Sequence, residues 1–121
     1  MAKILLAEDE AVLRMLVTDT LEDENYQIDE ACDGEEALAL IRNKDYDLII
    51  LDYMMPKKTG YDVLLEVRQM EHKKHVKILM LSAKSQQSDQ DKIRKAGADD
   101  FMTKPFSPLA LVEKVGEMIH E

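Results

Sequence analysis

One cysteine in 121 residues, Cys32, leaves no partner for an internal disulfide and suits a reducing compartment. Its expected place is that of a small, half-buried side chain rather than a reactive thiol. Long apolar runs are missing as well. The opening MAKILLAEDE holds too short an apolar stretch for a signal-peptide core, and no later segment could cross a bilayer, so the expected location is the cytoplasm, with no membrane insertion. Positive charge is in deficit: 16 Lys and Arg against 25 Asp and Glu give a net charge of −9. Such a surface repels nucleic acid and anionic membranes, so any effect on DNA has to pass through a partner or a fused domain. Low-complexity tracts and linkers are absent. What remains is one domain, residues 1–121, with 45% hydrophobic residues, enough for a proper core.

Within that domain short apolar runs alternate with helical periodicity. Ile4 to Ala7 reads as a first strand, followed by Val12, Leu13, Leu16, Val17, Thr20 and Leu21 at helical spacing. Tyr26 to Ala31 is a second strand, interrupted by Gln27 and Asp29. Asp33 can cap the next helix, with Glu36 three residues on to complete a capping box, and Ala37, Leu38, Leu40 and Ile41 form its apolar face. Leu48 to Asp52 is a third strand. Gly60 opens a helix carrying Val63, Leu64, Val67 and Met70, and Ile78 to Ser82 is a fourth strand. A polar helix from Ser85 to Ala96 ends at Gly97, a good residue just past a helix end. Asp100 to Thr103 is a short fifth strand, and Ser107-Pro108 caps and starts a last helix bearing Leu111, Val112, Val115 and Ile119.

Five strand–helix units in strict order predict a parallel sheet with helices on both faces. Strands one, three and four are unbroken apolar runs and belong at the centre; the second alternates and the fifth is short, so both belong at edges. The order 2-1-3-4-5 meets these conditions in a doubly wound, flavodoxin-like α/β fold. In such a sheet ligands bind beyond the carboxyl ends of the strands, at the switch in winding direction. The switch falls between strands one and three, which end in Glu8-Asp9 and Asp52. A carboxylate closing a buried strand is costly unless something charged meets it. Three converging acids suit a hard divalent cation such as Mg2+. Strand four brings Ser82 to the same edge and strand five brings Lys104-Pro105. Acids, a cation, a hydroxyl and an ammonium make a site for phosphoryl chemistry, where positioning and charge neutralisation dominate.

As a set, Glu8-Asp9, Asp52 with Met55-Pro56 and Gly60, Ser82-Ala83 and Lys104-Pro105-Phe106 resemble the motifs of response-regulator receiver domains of two-component signalling, over the whole chain. The resemblance implies that Asp52 takes a phosphoryl group from the phosphohistidine of a histidine kinase or phosphotransfer protein. It implies that Asp9, Asp52 and the main-chain carbonyl of Met54 ligate Mg2+, with Glu8 at or behind the metal shell. Lys104 would contact a phosphoryl oxygen, Ser82 would hydrogen-bond the phosphoryl group, and Phe101 would swing inward as the aromatic switch residue. Met54 and Lys84 would tune the lifetime of the modification, and the Lys104–Pro105 peptide is expected to be cis. Phosphorylation would change the surface of the fourth helix, fifth strand and fifth helix to control a downstream protein. The chain is expected to be a monomer, with pairing on phosphorylation left open, and not an enzyme beyond its own phosphoryl transfer and dephosphorylation. It ends about one helix after strand five and so resembles a stand-alone receiver. Glu8 stands where many members have Asp, and Phe101 where some have Tyr.

Competing readings give way on particular residues. An aspartyl-phosphate phosphatase places an acid two residues after the nucleophile, where this chain has Met54. A receiver acting as a phosphorylation-independent interaction module usually has lost an acid or the lysine, and all are kept here. His72 and His75 have ligand-like spacing but lie in a basic stretch without a cysteine or carboxylate cluster, which favours a solvated turn over zinc. The eight methionines are expected mainly in the core. The polar helix has only Ile93 and Ala96 as evident anchors and is expected to be weakly held, as an element of a switch would be.

Overall fold

The computed structural model describes residues 1–83 and 87–120, apart from the side chains of residues 87 and 88. Ten elements alternate: β1 (Lys3–Ala7), α1 (Ala11–Glu22), β2 (Gln27–Ala31), α2 (Gly34–Asn43), β3 (Leu48–Asp52), α3 (Gly60–Gln69), β4 (Lys77–Ser82), α4 (Gln87–Lys95), β5 (Asp100–Thr103) and α5 (Pro108–Ile119). All strand pairs are parallel, in the expected order β2-β1-β3-β4-β5. The expected start of the polar helix at Ser85 lies outside the described residues, as does Lys84.

Period-two alternation gives each central strand two apolar sides. Leu5, Ile49, Leu51, Ile78 and Met80 pack with Leu38, Ile41, Val63, Leu64 and Ile93 of α2, α3 and α4. Ile4, Leu6, Leu48, Ile50, Leu79 and Leu81 pack with Val17, Leu21, Leu111 and Val115 of α1 and α5. A strand covered on both faces needs no polar position, so β1, β3 and β4 read as unbroken runs. On the edge strand β2, Gln27 and Glu30 are exposed.

Local signals set the boundaries. Ser107 accepts a hydrogen bond from the Ala110 amide at 3.0 Å, and Pro108 opens α5. Gly97 has φ 113, a left-handed conformation that a residue with a Cβ rarely adopts, and ends α4. Asp33 accepts from the Glu36 amide at 2.8 Å, but the Glu36 carboxylate accepts from the amide of Cys32 at 2.8 Å rather than from Asp33 itself. The reciprocal capping box is on α3, between Thr59 and Asp62, where the sequence reading placed none.

Two expectations need correction. Cys32 is exposed, because it lies in the turn between the edge strand β2 and the α2 cap, outside the packed layers. In α1 the expected apolar stripe is only partly buried: Val17, Thr18 and Leu21 are covered, whereas Val12, Met15 and Leu16 face solvent. The helix begins beyond the carboxyl edge of β1, so its opening turns clear the sheet and only the later ones lie over it. Of the methionines, Met55, Met80, Met102 and Met118 are buried, and Met1, Met15 and Met54 are exposed.

Candidate phosphoryl-acceptor site

Strand parity sorts the polar groups at the carboxyl edge. Glu8, Asp52 and Lys104 continue the rows of Leu6, Ile50 and Met102, which belong to the α1/α5 side. Ser82 continues the row of Ile78 and Met80, and Phe101 packs against the cluster on the α2–α4 side. The acids and the lysine therefore share one row, and the hydroxyl and the aromatic ring lie in the opposite one.

Glu8 and Asp52 are both buried, at 1% and 6% exposure, which demands a counter-charge. Lys104 supplies it: its Nζ lies 3.0 Å from Oε1 of Glu8 and 3.0 Å from Oδ1 of Asp52. The second Glu8 oxygen accepts from the Glu10 amide at 3.1 Å. Asp9, next in the chain, is exposed, and its carboxylate completes a cluster with Glu8 and Asp52 whose ligand atoms all lie within 4.8 Å of one another. Among the described residues this is the only grouping of three or more such side chains that could hold a metal ion; His72 and His75 are exposed and take no part.

Burial pushes the Asp52 carboxyl up to about 7; the hydrogen bond from Lys104 opposes this and the nearby Glu8 charge adds to it. For Lys104, burial disfavours the charge, but the bonds to Glu8 and Asp52 outweigh it and hold the ammonium above the ordinary lysine value.

The backbone beneath Asp52 is tightly fitted. The Gly60 amide donates to the Tyr53 carbonyl at 2.9 Å, and a Cβ on Gly60 would lie 2.0 Å from the Asp52 carbonyl oxygen. A Cβ on Gly34 would lie 2.1 Å from the Lys58 carbonyl oxygen, so the start of α2 backs the loop from β3 to α3. Only glycine permits both approaches. On that loop the Met54 side chain is exposed, two residues after Asp52. Ser82, 2% exposed, ends β4, and its carbonyl accepts from the Lys104 amide at 2.7 Å. The Lys104–Pro105 peptide is cis. Phe101 is half-buried on β5, opposite Met80, with the Arg94 guanidinium 4.6 Å from its ring centre.

The sequence reading passed over Arg14 and the pair Tyr53 and Tyr61. Arg14 donates to the Glu8 carbonyl at 2.7 Å. Tyr53 and Tyr61 have ring centres 6.1 Å apart, and Lys92 of α4 lies 4.6 Å over the Tyr61 ring. An arginine one turn into an otherwise apolar helix was the available signal for Arg14; the tyrosines carried none.

The response regulator receiver domain family matches residues 4–116. The transcriptional regulatory protein ResD of Bacillus subtilis is 44% identical over 117 residues, which cover 97% of this chain and 48% of that protein. This chain spans about half the length of the curated relatives it matches. Among solved structures, the chemotaxis response regulator CheY4 of Vibrio cholerae aligns with TM-score 0.93 and 34% identity, over 98% of each chain. The receiver domain of sensor histidine kinase PA1611 from Pseudomonas aeruginosa, with a magnesium ion coordinated in its active site cleft, aligns with TM-score 0.91 and 29% identity, over 99% of this chain and 98% of that one. Winding, edge chemistry and sequence agree: the chain belongs to the response-regulator receiver domain family of two-component signalling.

Proposed function

We propose that this chain is a phosphorylation-dependent switch that accepts a phosphoryl group on Asp52. The observation that carries the proposal is the Lys104 ammonium held 3.0 Å from both Glu8 and Asp52, with Asp9 beside them. Hard carboxylate oxygens in that cluster fit a hard divalent cation. Asp9, Asp52 and the carbonyl of Met54 would hold Mg2+, with Glu8 behind them through water. When bound, Mg2+ supplies charge neutralisation for the phosphoryl oxygens.

The donor is the phosphohistidine of a histidine kinase or phosphotransfer protein. A carboxylate oxygen of Asp52 forms a bond to phosphorus as the phosphorus–nitrogen bond breaks, and the electron pair leaves with the imidazole, which takes up a proton. Lys104 turns toward the incoming phosphoryl oxygens, whose charge replaces that of the free carboxylate. Ser82 hydrogen-bonds the modified side chain, and Phe101 fills the space that Ser82 vacates. Both are on the side of the sheet that α4 covers, and Phe101 is on the edge strand β5 that separates α4 from α5 on the other face, so the consequence falls on the surface of α4, β5 and α5 that a downstream protein, or a second copy of the chain, reads. Residues 1–121 act as one cytoplasmic receiver unit. The chemistry begins and ends on Asp52, with water as the only acceptor for its removal, and no separate substrate is turned over.

The test is incubation with Mg2+ and acetyl phosphate, followed by intact mass and peptide mapping. One phosphoryl group is expected, on Asp52, and none on a folded Asp52→Asn variant. Equal labelling of that variant refutes the assignment.

A further inference from the structure

Arg14 sits in the opening part of α1, where Val12, Met15 and Leu16 are exposed, yet its own side chain is only 17% exposed. An arginine is covered to that degree when partners answer its charge and its donors. Its Nη1 donates to the main-chain carbonyl of Glu8 at 2.7 Å, and its Nε lies 3.4 Å from Oε1 of Glu30 on β2. The other Glu30 oxygen accepts from the hydroxyl of Thr18 at 2.7 Å, and Thr18 is itself buried. A chain of contacts thus runs from α1 across the edge strand to the peptide that joins Glu8 to Asp9. Every polar group of Glu8 is engaged: the amide donates to the Ala31 carbonyl at 3.0 Å, the carbonyl accepts from Arg14, and the two carboxylate oxygens meet the Glu10 amide and Lys104. Asp9 hangs from that immobilised peptide.

We propose that Arg14 is a positioning residue for the divalent cation: its grip on the Glu8 carbonyl fixes the turn that carries Asp9, and Glu30, held by Thr18, aims the guanidinium. The proposal rests on the reading of Glu8, Asp9 and Asp52 as the Mg2+ site. Charge and geometry give opposite expectations. Arg14 carries a positive charge bonded to the peptide that precedes Asp9, and like charges repel, so on charge alone its removal tightens Mg2+ binding. If position is what matters, removal weakens it, because the outer partners of metal ligands are typically worth about 10–100-fold in affinity.

Calorimetric Mg2+ titration of the metal-free chain separates the two, using the parent and Arg14→Gln, Arg14→Lys and Arg68→Gln. Arg68 is 16% exposed and bonds carbonyls at the other end of the sheet, so its replacement reproduces a general loss of stability without touching the acids. Arg14→Gln is expected to bind about tenfold more weakly than the parent. Arg14→Lys is expected between the two, because an ammonium has no fork with which to hold the carbonyl and Glu30 together. Arg68→Gln should match the parent. Binding by Arg14→Gln as tight as or tighter than the parent overturns the proposal, as does equal weakening by Arg68→Gln. If Arg14→Gln does not fold, Arg14→Lys carries the test, and an unchanged affinity there overturns it. A parent chain that takes up no Mg2+ sinks the site reading itself, and that failure is visible before any variant is measured.

Discussion

At the residue scale the consequence of burial, with the Glu8 charge adding to it, falls on Asp52. Asp9 contributes to the cluster from an exposed position, whereas Asp52 is buried and its carboxyl is pushed up to about 7. An unfolded aspartate titrates near 3.8, so between about pH 4 and 7 the native state holds a proton that the unfolded state has lost. Without Mg2+, Asp52 therefore costs the fold stability that grows as pH rises through this window. Asp52→Asn should melt higher than the parent at pH 8, and the gap should close toward pH 4.5. Thermal melts in chelator across that range check it; a constant gap would mean that the proton on Asp52 is not the cause. Below the window both proteins should lose stability together, because groups such as Asp29, held down by the hydrogen bond from Tyr46, must then be protonated. Met54 belongs to the same scale. Its exposed, apolar side chain stands two residues past Asp52 and cannot orient an attacking water by a strong hydrogen bond. Phosphorylated parent should outlast phosphorylated Met54→Asn after donor removal at constant Mg2+. A longer-lived Met54→Asn would show that shielding is not its role.

At the element scale, the sequence disclosed what periodicity and punctuation encode. The strand order followed from which runs were unbroken, and Ser107-Pro108 and Gly97 marked helix ends by chemistry that acts within a few residues. Glu8, Asp9, Asp52 and Lys104 were legible because strand ends and winding direction fix where they meet. Contacts made across the fold were not: Arg14 on the Glu8 carbonyl, Arg68 on the Gly97 and Val76 carbonyls, and Gly60 against the Asp52 backbone depend on side-chain reach and on packing distances. Gly60→Ala should accordingly cost on the order of 3 kcal/mol, the upper end of overpacking, because the obstruction is backbone and cannot rotate away. Urea unfolding measures it, and a loss under about 0.5 kcal/mol, the range of an ordinary surface change, would show that the loop can shift. The expected paucity of apolar anchors on the polar helix is visible in α4. Among its described side chains Ile93 alone is buried, and just past its end the Gly97 carbonyl accepts two bonds from Arg68, at 2.9 and 2.7 Å.

At the scale of the whole molecule, a surface of net charge −9 carries an apolar patch beside the cluster of Glu8, Asp52 and Lys104. Val12, Leu13 and Leu16 of α1 line a groove with Pro105 and Phe106, and the groove reaches Lys104. Leu109 adds a further exposed apolar side chain at the start of α5. A small phosphodonor would need none of this surface, since bound Mg2+, Lys104 and Ser82 would meet its phosphoryl group within the site itself. On the proposed function, a protein that carries phosphohistidine has to bring an imidazole to Asp52, and the groove borders that approach at Lys104. Burying a few such side chains at about 25 cal/mol per Å2 supplies binding energy that is lost when a charge is placed among them. Leu16→Glu should slow transfer from a phosphohistidine protein at least tenfold, while labelling by acetyl phosphate stays within about twofold of the parent, a tenfold change corresponding to roughly 1.4 kcal/mol. The two rates, measured on the same preparation with Mg2+ held constant, check it. Equal slowing with both donors would place the damage in the site itself, and no slowing with either would mean that the donor approaches from another side.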